Sequence, residues 1–441
     1  MCCQNVGRRQ VCIFVSTCIA FFGFGIWREI YIITPMELPR IRHNVLDIRQ
    51  TNRSNNIKVL SNNNGSHNNH GCKCNNNSTG AGDTVSENDT VKIYDQDNEN
   101  NMKTSPCGPE VRHLAFVKVH KAGSTTVMNI LERFAYKRNL LLALPQKANI
   151  LHYGFSNIVP RPKNSPFDML ITHVDHYDRK LFASVLPADT KYIGIIREPL
   201  MLSISAFEYY HRNYGLYKNV PGKEKLREYL QHRAMYEPKQ ASMSYTNNRM
   251  SYDFGLPQKS FHDEAAIKKF LFQLDSEMDL VLVVEKFSES LVLLKRLMCW
   301  QLKDVLYITR NKNDQKDSVH FSADEMKYHR DFSLADNMLY DYFTNRLNEK
   351  LQAERNDFQE EVDLLKSMLP KVSSFCQKAS SNNWKTTERL VFNKTKFNDV
   401  FQVDLKDCRL MLLRELTFVD LSRSKNLEIE LLDMRNLPPS F

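Results

Sequence analysis

The stretch HLAFVKVHKAGSTTVMNILERFAYKR, residues 113–138, joins two hydrophobic patterns at a short loop. Residues 113–119 are a mostly apolar run, which is typical of a strand buried on both faces of a parallel sheet. From residue 124 onward, the apolar side chains recur at the three- and four-residue spacing of a helix. The pattern therefore predicts a buried strand, a loop that contains Gly123, and a helix over 124–138.

The same alternation continues along the chain. In order, it predicts a strand at 168–173, a strand at 191–196, a helix at 200–211, a strand at 280–284 and a helix through residues 291–297. Such alternation implies an α/β fold with a P-loop-like, mostly parallel sheet flanked by helices. Ligands of these folds bind at the carboxyl ends of the strands. Residues 333–369 are helical and charged without sustained heptads, which favours one or two surface helices over a coiled coil.

The loop after the first strand has the features of an anion-binding turn. A helix N-terminus presents free backbone N–H groups, a glycine lets the backbone approach a ligand, and lysine and hydroxyl side chains add donors. The residues expected to contact phosphate are Lys121, Ala122, Gly123, Ser124, Thr125 and Thr126. It is not a Walker A loop, because the lysine precedes the glycine and no earlier glycine is present. A plain turn capped by Ser and Thr would have a similar composition.

A second motif follows the strand at 191–196. Arg197 ends this strand, Pro199 begins a helix, and Ser205 lies eight residues after the arginine. Two helical turns would bring the hydroxyl of Ser205 back toward Arg197, whose planar guanidinium suits phosphate. A structural arginine at the sheet edge is the alternative. Together, the two motifs indicate a nucleotide with anionic groups at both its 5′ and 3′ ends, which ATP and GTP lack.

With these motifs, the chain resembles the galactose-3-O-sulfotransferase family. The resemblance covers roughly residues 110–425 and includes NRMSYDFG at 248–255 and VVEKFSESLVLLKR at 283–296. It implies the sulfotransferase fold and 3′-phosphoadenosine 5′-phosphosulfate (PAPS) as the sulfate donor, with no metal. It also implies transfer to the 3-hydroxyl of a terminal β-galactose on a glycolipid, such as galactosylceramide, or on a glycoprotein. Family members usually carry Thr-Ala where this chain has Ala122-Gly123, so we expect weaker donor contacts without loss of binding.

The implied reaction is an in-line attack of a sugar hydroxyl on sulfur, which needs positioned charge and a base. Lys121 is predicted to stabilise the leaving phosphate. His173 is predicted to be the base, because it ends a strand at the ligand edge of the sheet and matches the catalytic histidine of related Golgi carbohydrate sulfotransferases. His120 and His176 are alternatives as the base, and His120 could instead contact the acceptor. Further candidates for acceptor contacts or loop anchoring are Asn248, Arg249 and Asp253.

The N-terminal region indicates a membrane anchor. Residues 1–10 contain an Arg pair and precede an apolar segment at 11–33, which predicts a cytosolic tail and a transmembrane signal-anchor. Residues 34–110 are Asn-rich with glycosylation sequons, which predicts a disordered lumenal stem before a catalytic domain at 111–441. A cleaved signal peptide is the alternative. By the family resemblance, we expect a single-pass type II protein of the Golgi membrane.

Composition narrows the possible functions. The 441 residues carry a formal net charge of +9, which suits anionic ligands, but no basic repeat or zinc-finger spacing points to nucleic acid. Cys107, Cys299, Cys376 and Cys408 lie in the globular part and permit two disulfides, with the pairing open.

Two other classes of protein share parts of these patterns. A P-loop kinase would need magnesium and a Walker A loop. A lumenal glycan-binding protein that has lost catalysis would be expected to lack Lys121, Arg197 or the strand-end histidine, and this sequence retains all three.

Overall fold

The computed structural model describes residues 107–161, 165–308, 321–381 and 387–435. The predicted cytosolic tail, the anchor and nearly all of the stem lie outside these residues. Among the described helices, none is both long and apolar enough to span a membrane.

A four-stranded parallel sheet forms the centre of the fold, with strand order β3-β1-β5-β6. A short parallel pair, β2-β4, and an antiparallel pair, β7-β8, lie outside it. The strands are β1 (Leu114–Val117), β2 (Ile150–Leu151), β3 (Met169–Leu170), β4 (His173–Val174), β5 (Lys191–Ile196), β6 (Leu280–Val283), β7 (Leu390–Phe392) and β8 (Phe401–Val403). Every residue of β1 and β6 is buried, as expected for strands covered on both faces.

Helices flank the sheet. They are α1 (Ser124–Lys137), α2 (Arg179–Ala183), α3 (Pro199–Tyr214), α4 (Lys225–Gln231), α5 (Arg233–Tyr236), α6 (Arg249–Asp253), α7 (Glu264–Glu277), α8 (Phe287–Leu297), α9 (Ala323–Phe332), α10 (Leu334–Gln352), α11 (Phe358–Ser381), α12 (Leu405–Leu412) and α13 (Glu415–Arg435). Helices α8 and α10 contact β6, and α13 contacts α1. The mixed α/β class with a flanked parallel sheet is as predicted.

The predicted strand at 168–173 is wrong in one respect, because the structure divides it between two sheets. Its first part, β3, pairs with β1, whereas its end becomes β4 and pairs with β2. Thr172 lies between them and donates a hydrogen bond from Oγ1 to the Asn149 carbonyl at 2.6 Å, which holds the chain against β2. The periodicity of apolar residues cannot show that a strand changes its pairing partner in this way.

Two disulfides close the described domain. Cys107 pairs with Cys299, just after α8, and Cys376 on α11 pairs with Cys408 on α12. The four cysteines of the globular part are therefore all paired. Disulfides of this kind persist in oxidising compartments.

Gly194 in β5 marks the closest approach between the sheet and the loop that follows α6. A Cβ added at Gly194 would lie 2.5 Å from Cζ of Phe254, which is buried. We expect Gly194→Ala to lower the free energy of unfolding by about 1–3 kcal/mol, since overpacking forces the ring to move. Thermal denaturation followed by circular dichroism measures this.

A second substitution tests the cause of that loss. Adding Phe254→Leu to Gly194→Ala removes the overlapping ring atoms, so the double variant should recover part of the lost stability. An unchanged melting temperature for Gly194→Ala would contradict the packing assigned to this position.

Candidate active site

The β1–α1 loop forms a concave run of backbone at the carboxyl end of β1. Lys121 and Gly123 both adopt left-handed conformations, with φ of 59° and 69°. Among the described residues, no side chain caps the first turn of α1, and the Thr126 amide donates to the Gly123 carbonyl at 3.0 Å. Successive amides in such a turn, next to a helix N-terminus, make a site for an anion. The backbone geometry of this loop is compatible with the predicted anion site, and the contacts with an anion stay a prediction.

The loop hydroxyls differ in their accessibility. Ser124 is buried and donates from Oγ to the Val119 carbonyl at 2.6 Å, so its side chain holds the loop to β1. Thr125 is exposed and donates from Oγ1 to Glu415 on α13 at 3.1 Å. The Ala122 methyl is buried. Of these residues, Ser124 and Ala122 offer a ligand their backbone amides rather than their side chains.

Arg197 contacts the same loop, so the two motifs predicted to bind the two ends of a nucleotide lie next to each other. Its Nη1 donates to the Lys121 carbonyl at 3.1 Å, and its Nε is buried without a hydrogen-bond partner among the described residues. Burial lowers the pKa of Arg197, with Glu285 and Glu198 acting in the opposite direction. The Lys121 Nζ lies 3.8 Å from the centre of the Tyr209 ring on α3. An unpaired guanidinium nitrogen beside an anion loop fits a phosphate ligand.

Ser205 occupies the half-buried face of α3. The described structure shows no hydrogen bond between its side chain and Arg197. The predicted contact between Ser205 and the sulfate donor would form only when the donor is bound, and it stays a prediction.

His120 is held by a carboxylate from α6. Its amide donates to Asp253 Oδ2 at 2.9 Å, and its ring Nδ1 lies 2.9 Å from the same oxygen. Arg249 Nη2 lies 2.7 Å from Asp253 Oδ1 and 3.1 Å from His120 Nδ1. We assign the proton to Nδ1, because the carboxylate oxygen at 2.9 Å is nearer to Nδ1 than the Arg249 nitrogen is, and the Arg249 nitrogen has Asp253 Oδ1 as a closer partner at 2.7 Å. This tautomer leaves Nε2 of His120 as a proton acceptor.

His173 stacks on His120, with ring centroids 4.3 Å apart. Its Nε2 accepts from the Nζ of buried Lys118 at 2.6 Å, and its Nδ1 is buried without a partner among the described residues. Lys118 in turn donates to Glu415 at 3.2 Å. The lysine thus bridges a histidine from β4 and a carboxylate from the start of α13.

Burial and charge set the ionisation of this cluster. Burial lowers the pKa of His120, partly offset by Asp253, and burial with the charge of Lys118 puts the pKa of His173 well below its usual range. Burial acts to raise the pKa of Asp253, but Arg249 and His120 outweigh it and keep that pKa low. Burial also lowers the pKa of Lys118, against the opposing charge of Glu415. Near neutral pH both imidazoles are neutral, which is the form that accepts a proton.

The remaining predicted residues lie nearby in different roles. Asn248 is buried, and its Oδ1 accepts from the Asp336 amide at 2.9 Å, so it ties the start of α6 to α10. Arg249 is buried beside Asp253 and between the rings of Tyr245 and Tyr252. His176 is stacked on Tyr153 rather than on either of the paired histidines. Across the described ranges, no group of three or more His, Cys, Asp or Glu residues is arranged to hold a metal ion.

Two residues of the cluster, Lys118 and Glu415, were not among the sequence candidates, and Asp253 was predicted only for acceptor contacts or loop anchoring. Lys118 lies within residues 113–119 and was interpreted as part of the apolar strand. A charged side chain within a buried strand nevertheless indicates a candidate functional residue. Asp253 belongs to the NRMSYDFG segment but is 133 positions from His120, and Glu415 is 297 positions from Lys118. No local sequence pattern reports such distant pairs.

The fold and this site define an α/β protein with an anion loop and a carboxylate-held histidine at one sheet edge. The family described as Galactose-3-O-sulfotransferase matches residues 88–390, which is more than half of the chain. The protein therefore belongs to the galactose-3-O-sulfotransferase family.

Known relatives agree with this membership. Galactose-3-O-sulfotransferase 3 of Mus musculus is 34% identical over 252 residues, covering 55% of this chain and 58% of the relative. Galactosylceramide sulfotransferase of Homo sapiens is 28% identical over 283 residues, covering 63% and 66%. Galactose-3-O-sulfotransferase 2 of Homo sapiens is 28% identical over 278 residues, covering 61% and 69%. The chain aligns with 58% of the length of the first of these relatives.

Proposed function

We propose that this protein is a carbohydrate sulfotransferase that moves a sulfuryl group from PAPS to the 3-hydroxyl of a terminal β-galactose. The observation that carries the proposal is the meeting of the β1–α1 anion loop, Arg197 and the His120–Asp253 pair at one edge of the sheet. One relative is named for a galactosylceramide acceptor and others for the galactose 3-oxygen. The acceptor class we propose is a galactose-terminated glycolipid or glycoprotein glycan.

Donor binding divides between two groups of residues. The loop amides at 122–125 and the ammonium of Lys121 would hold the 5′-phosphosulfate, and Arg197 with Ser205 would hold the 3′-phosphate. PAPS supplies the activated sulfuryl group, and the chain's task is to align it with the acceptor oxygen. The buried, unpartnered Nε of Arg197 supports an anion at its end of the site.

We assign proton removal to His120. Its Nε2 would take the hydroxyl proton as the acceptor oxygen bonds to sulfur and the bond from sulfur to the leaving phosphate breaks. Asp253 would stabilise the imidazolium that forms, as an orienting carboxylate does for a catalytic histidine. Lys121 would stabilise the negative charge on the departing adenosine 3′,5′-bisphosphate (PAP). His173, the base predicted from sequence, instead accepts a hydrogen bond from Lys118 on its Nε2, so its position favours a supporting role.

The location follows from the same proposal. We propose a type II protein of the Golgi membrane with the catalytic domain in the lumen, since sulfation of galactose on glycans needs access to them there. The two disulfides support an oxidising compartment.

Donor recognition tests the nucleotide half of the proposal. The full-length chain should bind PAP more tightly than 5′-AMP, which lacks the 3′-phosphate, in a calorimetric titration. Arg197→Ala should weaken PAP binding by about 10- to 100-fold, because a charged hydrogen-bond partner is lost, and should leave 5′-AMP binding nearly unchanged.

Arg212→Ala is the matched control, since that arginine lies on α3, the helix that follows Arg197, with its side chain 66% exposed. It should leave both affinities unchanged. If the wild-type chain bound PAP and 5′-AMP equally, Arg197 would have no 3′-phosphate to recognise and the donor assignment would be wrong.

A further inference from the structure

A group of aromatic and polar side chains follows the β2–β4 pair, beside the histidine cluster. The Tyr153 ring stacks on His176 with centroids 5.1 Å apart and planes 14° from parallel. Tyr252 lies 6.0 Å from His176. Asp175 accepts from the Tyr153 amide at 2.7 Å. We call Tyr153, His176, Tyr252 and Asp175 the tyrosine platform.

The register of β2 and β4 fixes where the platform lies. Ile150 pairs with His173 and Leu151 with Val174, so the next residues along each strand bring Tyr153 beside His176. His176 is three residues beyond His173, which limits their backbone separation to roughly 10 Å. That separation is within the length of a disaccharide.

A chain of contacts also joins the platform to His120. Arg249 Nη2 is 3.1 Å from His120 Nδ1, and the Arg249 guanidinium is 5.1 Å from the centre of the Tyr252 ring. Tyr252 then leads to His176 and Tyr153. The platform and His120 therefore share Arg249 as a common neighbour.

Tyr153 is more exposed to solvent than an aromatic residue of the hydrophobic core would be. It is 58% exposed although one face of its ring is covered by His176, so the other face is open to solvent. The backbone after it is unusual, since Gly154 and Phe155 both have positive φ, of 74° and 54°. Phe155 is buried and anchors this turn in the core. The turn thus fixes an open aromatic face next to a partly exposed carboxylate.

We propose that the tyrosine platform is an acceptor subsite for the sugar that follows the terminal galactose. The apolar C–H face of a pyranose would stack on Tyr153, and Asp175 would accept hydrogen bonds from its hydroxyls. The subsite makes a glycan of at least two sugars a better acceptor than a single galactoside. This inference rests on the proposed function, because it takes the galactose at His120 as given.

Acceptor kinetics test the subsite. With the full-length chain and saturating PAPS, Tyr153→Ala should raise KM for lactose by about five- to tenfold with little change in kcat, through the lost stacking. KM for methyl β-galactoside, which has no second sugar, should stay within about twofold of the wild-type value. Tyr153→Phe should restore the lactose KM, because the ring is kept.

Phe272→Ala is the control, since Phe272 is another exposed aromatic residue but lies on α7, outside the platform. It should change neither KM. Equal effects of Tyr153→Ala on both acceptors, or an effect on neither, would overturn the subsite.

A binding measurement separates this inference from the proposed function. In saturation-transfer NMR with PAP present, the glucose protons of lactose should receive saturation from the wild-type chain and lose it in Tyr153→Ala. If the wild-type chain sulfated neither acceptor, the proposed function would fail, and this spectrum would still decide the subsite. Equal saturation of the glucose ring in both chains would overturn it.

Discussion

Replacing His120 by alanine is expected to lower kcat for sulfate transfer by about 10²- to 10⁴-fold, the usual contribution of a general base. His120 is the histidine whose Nδ1 faces a carboxylate, Asp253, at 2.9 Å, and whose Nε2 is left to accept a proton. Binding of PAP should be unchanged, because neither the loop amides nor Arg197 is altered. Single-turnover transfer to a β-galactoside, beside a PAP titration, measures both quantities.

The variant Asp253→Asn tests whether the carboxylate charge supports His120 as the base. Asparagine keeps the shape but not the charge, so the imidazolium formed in the reaction loses its partner and kcat should fall. His262→Ala serves as a comparison, since His262 is exposed just before α7 and is outside the residues assigned to the donor or the acceptor. If His120→Ala retained kcat while His173→Gln abolished it, the base would be His173 and the tautomer argument would be wrong.

The pH dependence gives the same assignment a second test. A base must be neutral to act, and burial lowers the pKa of His120 below its ordinary value of 6.5. As pH falls, kcat/KM should therefore decline only at values below 6.5 rather than through the neutral range. An acid limb centred above that value would contradict a buried histidine base.

Removal of the Glu415 carboxylate is expected to have the largest effect on stability. Glu415→Ala leaves Lys118, whose side chain is only 1% exposed, without its carboxylate partner. Breaking a buried ion pair from one side typically costs about 3–5 kcal/mol of unfolding free energy, because an uncompensated charge stays buried. The variant also loses the hydrogen bonds that Asn149 and Thr125 donate to Glu415. Urea denaturation measures the loss.

Two controls isolate the ion pair from the general loss of packing. The double variant Lys118→Met, Glu415→Gln removes both charges and should be more stable than Glu415→Ala alone. The pH dependence gives a further test. Burial acts to raise the pKa of Glu415, but Lys118 and the hydrogen bonds have the larger, opposite effect, so this pKa lies below its ordinary value of 4.5. The advantage of wild type over Glu415→Gln should thus be full above that pH and decline as pH falls below it. A pH-independent difference would contradict the pairing.

The parts of the fold that could be predicted from the sequence are those that depend on local hydrophobic patterns. The strand at 191–196 matches β5, and the strand–loop–helix of residues 113–138 matches β1 and α1 with Gly123 at the helix start. Such elements depend on neighbours a few residues apart, which periodicity and capping preferences report. The exchange of partners between β3 and β4 depends on Thr172 and a distant strand, and no local pattern encodes it.

The candidate site divides in the same way. The β1–α1 loop, Arg197 and the histidines were predicted as site residues because each lies at the end of a predicted strand. Glu415 was not predicted, and Asp253 was predicted for acceptor contacts or loop anchoring rather than as the partner of His120. Asp253 and Glu415 reach the site from α6 and from the start of α13, so only the folded chain brings them to His120 and Lys118.

Sulfate transfer from labelled PAPS to a β-galactoside tests the central claim most directly. The full-length chain would be offered galactosylceramide, lactose and a core-1 glycan with EDTA present, and the products mapped for the position of sulfate. We expect sulfate on the 3-hydroxyl of galactose for at least one acceptor, unaffected by EDTA and abolished by His120→Ala. No transfer to any of these acceptors, or transfer that His120→Ala leaves intact, would contradict it.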